Sequence, residues 1–185
     1  MASRSYHCGV TRVRAALGSV LFFCVAPGLV VGLGPWLLTG WQMHDPLPYL
    51  LPVRVVGGLL LAAGLAFLVT AFVRFVVEGL GTPAPVAPTE HLVVGGIYRH
   101  VRNPMYLAVA AAILGQALLL ARPVLLGYAA VILALQYAFV RFHEEPALRR
   151  RFGEQYDTYR RAVPGWWPRL RPWPGAPASP ASGRG

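Results

Sequence analysis

Long apolar runs alternate with short polar stretches that carry most of the arginine. Apolar residues dominate 13–38, 53–77, 104–121 and 124–142. Each run has about the 17–25 residues that a helix needs to cross a bilayer, so the pattern predicts four membrane-spanning helices. Pro27 and several glycines fall inside the first, where neighbouring helices can satisfy the backbone groups they free. Gly28 and Gly32 have a spacing that permits close helix contact, and Gly57, Gly58 and Gly64 offer the same in the second run. Arg54 and Arg74 lie near the two ends of that second run, where long side chains reach the interface. Arg122-Pro123 separates the third run from the fourth, and so short a connection makes an antiparallel helical hairpin.

Beyond residue 142 the pattern changes. Residues 147–161 place Leu148, Phe152, Tyr156 and Tyr159 on one helical face, with Arg149, Arg150, Arg151, Glu154 and Arg160 on the remainder. This predicts a soluble amphipathic helix. Pro164-Gly165-Trp166-Trp167-Pro168 ends it, with both tryptophans suited to a membrane interface. From about 171 the chain is rich in Pro, Ala, Ser and Gly, which predicts disorder. The expected fold is all-α, a polytopic membrane protein with about four transmembrane helices, a helical hairpin and a C-terminal cytoplasmic amphipathic helix. Its parts are a basic segment 1–12, two spans in 13–77, a core in 78–170 and a tail 171–185.

Composition supports a membrane protein. Only 13% of residues are charged, about half the usual globular value. All 17 basic side chains are arginine. They cluster at the termini and in the 78–103 loop, whereas 40–52 has none. This asymmetry predicts both termini on the cytoplasmic side of the inner (plasma) membrane. It also argues against a nucleic-acid partner, which would require a soluble basic face. The first apolar run exceeds a signal core and has no obvious cleavage site, so it reads as a span. Cys8 and Cys24 share no paired spacing, so neither a disulfide nor a zinc site is expected.

The candidate chemistry centres on Gly95-Gly96-Ile97-Tyr98-Arg99-His100-Val101-Arg102-Asn103-Pro104-Met105-Tyr106. Pro104 suits the first turn of a helix, and Asn103 is a plausible cap for it. A helix N-terminus beside Arg99 and Arg102 is a ready anion site. The same residues also read as an ordinary basic loop on the cytoplasmic face. Arg141, Glu144, Glu145 and Leu148 fall on one helical face, with a kink or restart expected at Pro146. Their plainer reading is a juxtamembrane ion pair. His91, His100 and His143 lack the spacing of a ligand motif, and no metal site is expected.

GGIYRHVRNPMY, then a hairpin, then HEEPALRRRFGEQYDTYRRAVP resembles the isoprenylcysteine carboxyl methyltransferase family. These integral-membrane enzymes are related to phospholipid methyltransferases. The resemblance covers roughly 91–164, and Gly81-Thr82-Pro83-Ala84-Pro85 is similar to the lead-in of bacterial members. It implies a site for S-adenosylmethionine at the cytoplasmic end of the hairpin. Cofactor contacts would fall on Glu90, His91, Leu92, Val93, Tyr98, Asn103, Pro104, Met105, Tyr106 and one of Glu144 and Glu145. Asn103 stands where many members carry His. The substrate-side arginine would fall nearest Arg141.

These residues suit that cofactor. The loop and helix N-terminus can receive its carboxylate, a glutamate its ribose, and Tyr98 and Tyr106 its adenine or sulfonium. A carboxylate acceptor needs no base, and Arg141 would orient it. An amine or phenol acceptor needs one, and Glu144, Glu145 or His143 would serve. The expected activity is methyl transfer to a lipophilic acceptor that enters from the lipid bilayer. Two rivals are a membrane reductase of the sterol-reductase type using NADPH and a non-catalytic membrane scaffold.

Overall fold

The computed structural model describes residues 25–44, 51–79 and 92–175. Arg4, Arg12, Arg14, Cys8, Cys24, the 80–91 loop with Glu90 and His91, and residues 176–185 lie outside the described residues. All regular structure among the described residues is helical. Helix α1 spans Val25–Thr39 and α2 spans Leu51–Gly79. A single 3₁₀ turn, Gly96–Arg99, leads to α3, Pro104–Leu120. Helix α4, Val124–Phe139, passes through a wide π turn, Val140–Glu144, into α5, Glu145–Ala162.

Two helical runs, Leu51–Arg74 and Val124–Ala162, contain windows long and apolar enough to cross a membrane. Only 28% and 17% of those windows are buried by the protein itself. Their apolar surface therefore faces outward, unlike that of a core helix in a soluble domain. The second run is apolar only as far as Phe142 and strongly charged beyond it. Helices α1 and α3 are shorter apolar helices.

Glycine sets the packing of α2 on α3. A Cβ at Gly115 would lie 2.5 Å from Leu61 N, and one at Gly64 would lie 2.8 Å from Ala112 N. A Cβ at Gly57 would strike the backbone of Leu119. The two backbones thus touch along an antiparallel seam, as small residues allow in a membrane. Gly58 is beside the seam, 3.9 Å from Leu119 Cδ1. Gly28 and Gly32 do not mediate the close contact their spacing suggested, since neither Cβ position meets any atom within 4 Å. They line an apolar cavity of about 510 Å³ between α1, α2 and α3, with Val31, Leu61, Leu68 and Gln116.

Helix α1 widens to π geometry over Gly28–Leu33, just before Pro35. Pro35 has no N–H to offer the carbonyls four and five residues earlier. Side chains from the hairpin replace it. Gln116 Nε2 donates to Val31 O at 2.8 Å, and Tyr128 Oη donates to Val30 O at 2.9 Å. Gly34 leaves room for the Tyr128 hydroxyl.

At the hairpin end of the molecule, Ala121 adopts a left-handed conformation (φ 53°) that turns the chain into Arg122-Pro123. Arg122 Nε donates to Gln42 O at 3.0 Å, and Arg54 Nη2 donates to His44 O at 3.2 Å. Two arginines from outside 40–52 therefore bond to its carbonyls. The larger arginine cluster occupies the opposite end, where the candidate site lies.

Candidate active site

The site forms where the N-terminus of α3, the π turn after α4 and residues 163–173 meet. Gly96 makes the entry possible: its φ is +54°, and Arg74 packs against the space a Cβ would fill. Tyr98 follows, 6% exposed, with its hydroxyl 3.4 Å from Ala71 O on α2. Its carbonyl accepts from Tyr159 Oη at 2.7 Å. Burial pushes the Tyr159 phenol well above its ordinary range, so it remains a neutral donor. Val93 is buried, and Leu92 packs with Val94 against Tyr156, Tyr159 and Val163. Leu148 and Phe152 join the same cluster.

Glu144 and Glu145 diverge. Glu144 Oε1 accepts the Tyr106 hydroxyl at 2.5 Å. It lies just beyond the apolar run, and burial raises its carboxyl above the usual range, while the Tyr106 bond and His143 oppose that shift. Glu145 instead anchors an ion-pair cluster. Its Oε1 meets Arg102 Nη1 at 3.0 Å, and its Oε2 meets Arg141 Nη1 at 3.2 Å and Arg160 Nη2 at 3.3 Å. Arg102 also donates to Tyr156 Oη at 3.0 Å and Val163 O at 2.9 Å. The Pro146 ring causes no break: the π turn precedes it, and Pro146 occupies the first turn of α5. The non-helical residue in α5 is Gly153 (φ 50°, ψ −125°).

Asn103 does not cap α3 as expected. Its side chain makes no capping bond, and its backbone (φ −116°, ψ 54°) is drawn toward the C-terminal segment. Asn103 N donates to Gly165 O at 3.3 Å, and Arg102 N donates to Pro164 O at 2.9 Å. Asn103 Nδ2 is buried without a hydrogen-bond partner. Pro104 is buried, and Met105 packs into the core between α2, α3 and α4.

Residues 163–173 form a strap over this loop. Arg169 N donates to His100 O and Trp173 N donates to Arg99 O, both at 3.0 Å. Trp173 falls in the stretch expected to be a tail, yet its ring packs on Tyr159 at 5.5 Å. The strap carries a residue that the sequence reading did not assign to the site. Trp166 stacks on Tyr106 at 6.3 Å between centroids and meets Tyr137 at 5.7 Å. Both separations fall within the range of attractive ring pairs. Three rings from three elements thus form a chain whose Tyr106 end bonds the Glu144 carboxylate. No periodicity marks Trp166, whose partners are far away in the chain. His100 Nδ1 is 2.8 Å from Arg169 O, and His143 stacks on Phe139, so the two are engaged apart.

The arrangement suits a cationic ligand. A buried carboxylate needs positive charge or donors beside it, and aromatic faces attract cations. Asn103 Nδ2 and the N-terminus of α3 offer donors for an anionic group at the other end of such a ligand. The sequence profile of the phospholipid methyltransferase family matches residues 53–155. The chain belongs to that family. It is a membrane methyltransferase, consistent with the resemblance to isoprenylcysteine carboxyl methyltransferases. The match covers nearly all of α2, the loop, the hairpin and most of α5, and so includes the N-terminus of α3 and the π turn but not the strap. It lends nothing to the reductase or scaffold readings. No curated protein and no solved structure matches the chain.

Proposed function

We propose that this protein transfers the methyl group of S-adenosylmethionine to a lipophilic acceptor drawn from the bilayer. The observation that carries this reading is the Tyr106–Glu144 bond set beside the Trp166 and Tyr137 rings. Bound there, the cofactor supplies an activated methyl group on a sulfonium. Asn103 and the N-terminus of α3 hold its carboxylate, and the Tyr106 and Trp166 faces attract its cation. Glu144 takes the ligand-facing part that the sequence left open between two glutamates. Glu145 holds Arg102, Arg141 and Arg160 in place. Pro104, Met105, Leu92, Val93 and Tyr98 shape the floor from behind.

In this reading the chain crosses the inner membrane four times, with the site, both termini and an amphipathic α5 on the cytoplasmic side; the absence of arginine from 40–52 supports that orientation. The ring wall and π turn close the site against water, which favours displacement between aligned groups. For a carboxylate acceptor, the isoprenylcysteine-type chemistry, Arg141 orients the nucleophile. An amine acceptor is the second reading, favoured by the engagement of Arg141 with Glu145 and by a buried carboxylate able to accept a proton.

Calorimetry on detergent-purified protein tests the cofactor. S-adenosylmethionine should bind and NADPH should not, and Tyr106→Ala and Glu144→Ala should weaken binding. Absence of binding in folded protein overturns the reading. Transfer of a labelled methyl group into lipid extract, followed by mild alkaline hydrolysis, separates an ester product from an N-methyl product.

A further inference from the structure

The two adjacent tryptophans of the strap face opposite ways. Trp166 turns inward onto Tyr106 and Tyr137. Trp167 is 81% exposed and Leu170 is 98% exposed. These side chains are not on a fraying end. The backbone around them is tied down at Gly165, Arg169 and Trp173 through bonds to Asn103, His100 and Arg99. A fixed segment that displays a large aromatic and a leucine to its surroundings presents them to something.

We infer that Trp167 and Leu170 insert into the headgroup region of the bilayer leaflet at the α4 exit, making the strap an interfacial foot. The level of the strap is the first argument. Trp166 contacts Tyr137, five residues before the end of the apolar run at Phe142, so the strap crosses α4 close to where its lipid-facing surface stops. That surface continues to the edge through Tyr137 (54% exposed), Phe139 and Phe142 (79%). Trp167 and Leu170 extend it sideways. Chemistry is the second argument. Tryptophan favours the interface because its ring is both apolar and polar. Arg171 beside Leu170 and Arg141 beside Phe142 are exposed, suiting an anionic lipid surface. The foot holds Trp166 over the site from outside, at the depth where a lipid headgroup would arrive.

The test places an environment-sensitive fluorophore on Cys introduced by Leu170→Cys, and separately by Trp167→Cys, with Cys8 and Cys24 changed to Ser. A third label on Glu154→Cys, at an exposed position of α5, is the aqueous control. The full chain is reconstituted in vesicles of phosphatidylcholine with phosphatidylglycerol. Both strap labels should emit to the blue of the control, with several-fold stronger quenching by headgroup spin-labelled lipid and weaker quenching by iodide. The inference is overturned if either strap label, in protein with native helix content, is as open to iodide as the control. It is also overturned if either is shielded from both quenchers, because a second copy of the chain then covers the patch. The readout is independent of methyl transfer, so it can fail while the methyltransferase reading stands, or the reverse.

Discussion

Glu144 and Glu145 are neighbours in the chain, yet one carboxylate accepts from Tyr106 and the other gathers three arginines. The π turn brings this about, because its wider winding turns Glu144 toward α3 while Glu145 begins the next helix. The two residues should therefore fail in different ways when replaced.

Glu145 and Arg102 are both nearly buried, with side chains 11% and 12% exposed. Removing Glu145 leaves the Arg102 charge without its carboxylate, a loss of about 3–5 kcal/mol for a buried pair, whereas removing Arg102 leaves Glu145 its two other arginines but takes the donor from Tyr156 and Val163. Arg102→Ala and Glu145→Ala should each lower the thermal midpoint in detergent sharply. Arg141 is 53% exposed, so its pairing is screened, and Arg141→Ala should cost less than about 1 kcal/mol. Equal losses in all three variants would contradict this division of labour.

Glu144 should make stability depend on pH. Burial raises its folded-state value above the unfolded one, so the folded protein holds the proton more tightly. Its contribution to stability is complete below the ordinary carboxylate range and is lost as pH rises through the raised value. Glu144→Gln should therefore gain stability relative to the parent from mildly acidic to neutral pH, while losing affinity for S-adenosylmethionine. Unfolding curves for both proteins across that range check the sign. A relative loss toward neutrality would mean that the carboxylate is held by stronger partners than Tyr106.

The seam between α2 and α3 gives a graded series. Gly115→Val and Gly64→Val must push the backbones apart, and overpacking of this kind costs about 1–3 kcal/mol. Gly58→Ala meets only ordinary contact, and Gly28→Ala meets open space. The first two should reduce the folded fraction in detergent, while the last two should leave it near the parental level.

The helices were legible because a bilayer demands length and apolarity together, and α3 ends one residue short of the predicted run. The hairpin was equally plain from Arg122-Pro123. What escaped depends on pairs distant in sequence. Arg102 and Glu145 are 43 positions apart, and Trp166 reaches Tyr106 only because the strap bonds to Arg102 and Asn103. Asn103 reads as a cap from its neighbours alone. The hydrogen bond from its N–H to Gly165 sets its backbone instead, a tertiary effect that local spacing does not carry. Gly28 and Gly32 show the converse: the spacing is present, but among the described residues no atom lies within 4 Å of either Cβ position.

Gln116 is a buried amide in a largely apolar helix. Pro35 offers no N–H to Val30 O or Val31 O, and Tyr128 and Gln116 donate to them. In hydrocarbon no water can take over. Gln116→Leu should cost about 1–2 kcal/mol, the upper range for hydrogen bonds between membrane helices. Tyr128→Phe should cost a similar amount, and each loss should shrink when Pro35 is replaced by Ala. That rescue is the deciding measurement. Alanine restores one N–H, so α1 can satisfy one of these carbonyls itself and depends less on the hairpin. If Pro35→Ala leaves the Gln116→Leu penalty unchanged, the amide serves packing rather than the opened backbone.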